Sequence, residues 1–312
     1  SATSAYVFDK VNNTLIINST FKYNNATKNG GAIECNASNI GIYNLTFESN
    51  YAGEYGAALC REVGATSGHG KNNTFIANHA EIAGAALAWM NVDNININYY
   101  YFYNNTAHVG GGAIYVSDGS DNCIINNSVF SGNNITNKTG GHGGAIYVVG
   151  DNATIIHTNF TDNHAFYGGA VFAGNSSGDT QIYNVTFTRN DANANGGAIV
   201  ITGSGVTLHQ TCFYSNTAEN GGAVFVGGEG TTNTIHNSVF ENNTARDHGG
   251  AIDWLAYSGE VLYSNFTSNS AVYGGAIYLN HISSSSKIVN VIFRENKAIS
   301  RSEERFSRNA ET

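Results

Sequence analysis

Proline is absent from the 312 residues, and charge is scarce, at 12% of the chain. An average soluble domain carries roughly 25% charged residues and about 5% proline, so both are strongly depleted. Few charges beside 41% hydrophobic residues exclude intrinsic disorder, which needs the opposite balance. No window approaches the roughly 20 consecutive apolar residues of a membrane helix, so no part of the segment is expected to insert in a membrane. The net charge of −9 argues against a nucleic-acid partner. Only four cysteines occur, Cys35, Cys60, Cys123 and Cys212, with no CxxC or Cys/His metal spacing. Cys35 and Cys60 stand about one repeat apart but one position out of step, so small buried hydrophobes are expected rather than a disulfide.

What is abundant is asparagine, with 45 residues, and glycine, with 37. Sixteen Asn-x-Ser/Thr sequons run from Asn12 to Asn265, many of them a product of that composition. No leader-like segment opens at Ser1, so the chain reads as a trimmed or mature stretch of a secreted protein.

Periodicity dominates the sequence. Phe-x-x-Asn begins at Phe21, Phe47, Phe75, Phe102, Phe130, Phe160, Phe187, Phe213, Phe240, Phe266 and Phe293, at intervals of 26 to 30 residues. Two positions after the Asn stands Ala in every copy except Ile135. The first ten copies then enter a Gly/Ala-Ala-aliphatic segment such as Gly30-Gly31-Ala32-Ile33. Aliphatic alternation after it, as in Ile114-Tyr115-Val116, has the period of a strand. A polar turn follows, then a second short strand reading aliphatic-x-Asn-x-x-Phe. That aliphatic residue and the Phe are five apart, so burying both requires a bend between them. Asn occupies the third position before Phe in seven of the eleven copies, and its tolerance of the left-handed conformation suits a corner. The Asn of Phe-x-x-Asn reads as another corner.

Three short strands and three corners in about 27 residues describe one coil of a parallel β-helix. The expected fold is all-β, a right-handed single-stranded parallel β-helix of about 10–11 coils occupying residues 1–300. Equivalent residues would stack about 4.8 Å apart into Phe, aliphatic and Asn ladders along a rod roughly 50 Å long. Strands bonded on both edges leave no place for proline.

The Gly-Gly-Ala-Ile/Leu/Val and Phe-x-x-Asn signatures resemble the repeats of the chlamydial polymorphic outer-membrane protein family. The Asn/Thr/Tyr-rich style is also similar to adhesin-like surface proteins of methanogenic archaea. The resemblance covers about residues 12–300 and implies a β-helical passenger on a cell surface, usually for adhesion. It names no receptor. Copy five departs by expansion through Thr139-Gly140-Gly141-His142, and the last copy lacks the Gly-Gly-Ala segment. Six of the fourteen basic residues lie in the final 26. Residues 301–312 therefore read as a charged cap over exposed strand edges, a linker or an expression remnant. A twelfth Phe-x-x-Asn, from Phe306, follows only 13 residues after the eleventh.

If the aliphatic residue of each Gly-Ala segment points inward, the next points outward. From coil four onward this outward row is mostly aromatic, and Tyr115, Tyr147, Phe172, Phe225 and Tyr278 are the candidate ligand-binding residues. The partner would be a glycan or protein of a host or neighbouring cell surface, bound extracellularly without cofactor. Ring stacking along a ladder, worth about 0.2–1 kcal/mol per pair, explains the same pattern structurally.

Catalysis finds little support. A pectate-lyase-like β-helix enzyme would need Ca²⁺ carboxylates with a basic residue, and a glycoside hydrolase would need two carboxylates about 5–9.5 Å apart. The best acidic set, Asp118, Asp121 and Asp151, spans two turns, with Lys138 the only base near it, and is explained by turn chemistry. His79 and His164 share a repeat position but should stand three coils apart, about 14 Å. Gly140 to Gly144 has no Lys-Ser/Thr and is no phosphate loop. No catalytic or metal residue is assigned, and a purely structural stalk is the third alternative.

Overall fold

The computed structural model describes residues 4–62, 68–174, 178–228, 232–280 and 285–299. Residues 301–312, with the basic tail and the twelfth Phe-x-x-Asn, lie outside them. Every element among the described residues is a β-strand, and the strands form four parallel sheets of eleven strands each. Each strand pairs with its equivalent one coil before and one coil after, which is a β-solenoid of the right-handed type.

One coil shows the plan. Ile114–Val116 lies in the sheet that follows the glycines, Ile124–Asn126 in the aliphatic sheet, Val129–Ser131 in the Phe sheet and Asn134–Ile135 in a fourth sheet. A coil thus has four strands where the sequence pattern indicates three. The extra one is the two-residue Asn-x-Ala step, too short to show alternation.

Corners explain the motif spacing. The third residue before each Phe has φ between 47° and 57° in all eleven coils, Asn in seven of them and Tyr99, His157, Gln210 and Tyr263 in the rest. The next corner is not the Asn of Phe-x-x-Asn but the residue before it, with φ of 51–65° in every coil. Left-handed geometry costs an L-residue about 1–2 kcal/mol, yet this site holds Tyr23, Ala77, Arg189 and Glu295 alike. Sheet bonding on both sides outweighs that cost. The first Gly of each Gly-Ala segment makes another corner, where glycine is obligatory: a Cβ on Gly168 would lie 2.3 Å from the Val171 carbonyl oxygen.

The Asn behind the second corner turns inward. Asn163 is fully buried, and its Oδ1 accepts from the backbone N–H and the Nδ2 of Asn133, both at 3.0 Å. Its Nδ2 donates to Asn190 Oδ1 at 2.9 Å and to the Phe130 carbonyl at 3.1 Å. Two lone pairs and two N–H groups are all used, so the amide is buried with nothing unsatisfied. The same arrangement climbs from Asn24 to Asn296. Beside it the Phe rings stack from Phe21 to Phe293, with centroids 4.4–5.2 Å apart. The core is filled by these rings and by aliphatic ladders such as Ile114, Ile146 and Val171. Nine Phe side chains are fully buried, from Phe47 to Phe266.

All four cysteines are free; Cys35, Cys60 and Cys123 are buried and Cys212 is half-buried. Cys60 pairs in register with Glu34 while Cys35 pairs with Arg61, so the two thiols lie on opposite faces of their sheet. The one-position offset in the sequence therefore separates them.

Candidate functional site

The outward row of the glycine sheet runs in register: Tyr115 pairs with Tyr147, Tyr147 with Phe172, Phe172 with Val200, Val200 with Phe225, Phe225 with Asp253 and Asp253 with Tyr278. Tyr115, Tyr147 and Tyr278 are half-buried. Phe172 and Phe225 are 9% and 8% exposed, and with Val200 they form an apolar cluster of their own. The row is thus covered at its middle and open at its ends.

Tyr147, Tyr167 and Leu255 pack over that middle cluster, and Tyr167 belongs to a second row beside the first. The residue just before each first Gly makes single bridges from coil to coil, running alongside the sheet. That position carries an aromatic ring or His in five of ten copies, Tyr55, His142, Tyr167, His248 and Tyr273, which is the signal that would have revealed it. His142 stands among Tyr147, Tyr167 and Phe172 at centroid distances of 5.2, 5.5 and 4.5 Å. Tyr55 meets Tyr115 at 5.9 Å, and His248 lies 4.3 Å from Tyr278 and 5.2 Å from Tyr273. Two ring clusters result, one from Tyr55 to Phe172 and one around His248.

Electrostatics on this face follow from burial. Desolvation pushes the Tyr115 phenol up to about 12, with Tyr147, Tyr55 and Asp118 adding to it. It raises the Tyr147 phenol and lowers the His142 imidazole, so this cluster presents neutral groups at neutral pH. Asp253 is 2% exposed between Phe225 and Tyr278, and its Oδ1 has no hydrogen-bond partner. Burial first, and the charge of Asp247 second, raise its carboxyl to about 7.

The other candidates resolve into structural roles. Of the acidic set, Asp118 is exposed, while Asp121 and Asp151, with Asp93 one coil before them, cap successive turns: each Oδ1 accepts a backbone N–H from the next coil, of Asp151 at 2.9 Å, Gly178 at 2.8 Å and Asp121 at 2.9 Å respectively. Among the described residues no three His, Cys, Asp or Glu side chains are grouped to hold a metal ion. His79 and His164 lie three coils apart in one sheet, as their spacing indicates. Each has acquired its own partners: Thr106 Oγ1 at 2.8 Å and Glu81 Oε1 at 3.2 Å for His79, and Asp191 Oδ2 at 2.9 Å for His164. Exposed charges pair between coils, Arg189 with Asp162 through two 2.9 Å bonds and Arg246 with Glu219 at 2.7 Å.

Fold and surface define the class: a parallel β-solenoid built of one repeated coil, with a ring-lined side face. The family model of the Chlamydia polymorphic membrane protein (Chlamydia_PMP) repeat matches residues 18–36, 100–117 and 237–253. Those matches fall on the glycine and Phe-x-x-Asn corners described above. No curated protein and no solved structure matches the chain. The repeat and the solenoid together fit a surface-exposed, adhesin-like passenger.

Proposed function

We propose that this segment is a non-catalytic, surface-displayed passenger that binds a glycan or protein of a host or neighbouring cell through its ring-lined face. The observation that supports this reading most is the cluster of Tyr55, Tyr115, His142, Tyr147 and Tyr167, half-buried rings gathered on one side of a rigid rod. Half-exposed neutral rings suit the apolar faces of sugars or an apolar protein patch. The repeat's family description supports an outer-membrane or cell-surface location. Turn caps occupy Asp121 and Asp151, and cross-coil ion pairs occupy Asp162 and Glu219, which favours a presenting surface over a reacting one.

A structural stalk is the second reading, favoured by the burial of Phe172 and Phe225, which interrupts the outward row. An array of glycans and cell-surface extracts, probed with the segment and with Tyr115→Ala/Tyr147→Ala, separates the two. Saturable binding weakened at least tenfold, about 1.4 kcal/mol, in a double variant with an unchanged circular-dichroism spectrum is the expected result. Undiminished binding moves the site off this face, and absence of any binding leaves the stalk. Release of unsaturated or reducing sugar would instead reveal an enzyme.

A further inference from the structure

Away from the ring-lined face, the aliphatic sheet ends each strand on an outward residue just before the left-handed corner. In two consecutive coils that residue is a histidine. His209 closes the strand Thr207–His209, His236 closes the strand Asn233–His236, and the two pair in register. Leu208 and Ile235 before them are buried in the core ladder, which fixes both imidazoles on the outside. The corners behind them, Gln210 and Asn237, share a φ of 52°, so the chain leaves both strands alike. The two half-buried rings stack with centroids 5.1 Å apart, between Tyr183 at 4.8 Å and Tyr263 at 5.3 Å. This is the only contact between two imidazoles among the described residues. Asn237 Nδ2 donates to His209 Nε2 at 3.3 Å, so that nitrogen carries a lone pair at the exposed corner.

From this pairing we infer that His209 and His236 together chelate one divalent late transition-metal ion, Cu²⁺ above all, on the outer surface of the solenoid. Two imidazoles bonded to one ion at about 2.1 Å, with roughly a right or tetrahedral angle between the bonds, have ring centres about 5 Å apart. The sheet already imposes that separation. Turning each ring about its Cβ–Cγ bond aims both lone pairs at the ion, at the cost of one long hydrogen bond and with no movement of either strand. The site lies on the surface, so no cavity has to admit the ion, and water or a side chain of another molecule completes its shell. Imidazole suits Cu²⁺, Ni²⁺ and Zn²⁺, and nitrogen sites prefer Cu²⁺ among them. The net charge of −9 draws cations toward the molecule.

Calorimetric titration of the whole chain with Cu²⁺ in a non-coordinating buffer tests this, together with crystals soaked in Cu²⁺ and measured at the copper edge. The expected result is one strongest equivalent, with an anomalous peak between the His209 and His236 rings. His209→Ala and His236→Ala should each weaken that equivalent by at least about tenfold, since losing a group merely bonded to a ligand already costs that much. His157→Ala, which removes an exposed imidazole with no second one beside it, should leave the equivalent unchanged. Unaltered affinity in both pair variants, an equal loss in His157→Ala, or a copper peak at other histidines alone overturns the proposal. Should a pair variant lose the native circular-dichroism spectrum, the copper-edge map of the wild-type chain decides the matter alone.

Discussion

Asp253 stands where neighbouring coils place Phe225 and Tyr278, a carboxyl among rings. Its unfolded value lies near 3.8 and its folded value near 7. Between those values the native state keeps a proton that the unfolded chain releases, so stability must fall as pH rises from about 4 to about 7 and level off above. Asp247, whose charge also raises the Asp253 carboxyl, is itself paired with His248 at 3.2 Å. Asp253→Asn should remove a loss on the order of a few kcal/mol from the pH profile of urea unfolding. Parallel profiles for the two proteins would show that another group titrates. What the sequence displayed at this scale depended on whether conformation selects residue type. The corner three before Phe prefers Asn and is legible. The corner two after Phe accepts Tyr, Ala, Arg and Glu and is silent, so the adjoining Asn was read as the bend. That Asn is constant for a different reason, since only a carboxamide makes the four ladder bonds at once.

At the scale of the element, register was readable because two motifs recur at one spacing, and the Phe and aliphatic ladders follow from it. The fourth strand was not readable, since a pair of residues shows no period. Nor was the cover over the outward row, because the sequence gives the direction of a side chain and not what folds above it. The expanded coil shows how one exception is absorbed. Ile135 replaces the usual Ala, and Gly141 in the expansion leaves the room: a Cβ there would lie 2.1 Å from the Ile135 Cγ2. Gly141→Ala should cost about 1–3 kcal/mol by overpacking. Combined with Ile135→Ala it should cost little, giving a coupling energy of at least about 1 kcal/mol in a double-mutant cycle. Additive effects would show that the two residues do not share this space.

For the molecule as a whole, every strand pairs only with its equivalents in the coils on either side, so stability is nearly a sum over coils. Removing residues 187–212 joins Thr186 to Phe213, which restores the register because Thr186 pairs with Cys212 and Phe187 with Phe213. The shortened protein should stay folded, with unchanged ellipticity per residue. Its urea m-value should fall by about a tenth, in proportion to the surface it no longer buries. An insoluble or unfolded product would show that the coils are not interchangeable.

The Asn ladder carries a consequence for heredity. Because each Asn meets the same partners in the coils above and below, a coding sequence that loses or gains one unit by unequal exchange between repeats creates no foreign junction. The length of the rod, and with it the distance between its two ring clusters, can change in whole steps within a lineage while the fold stays constant.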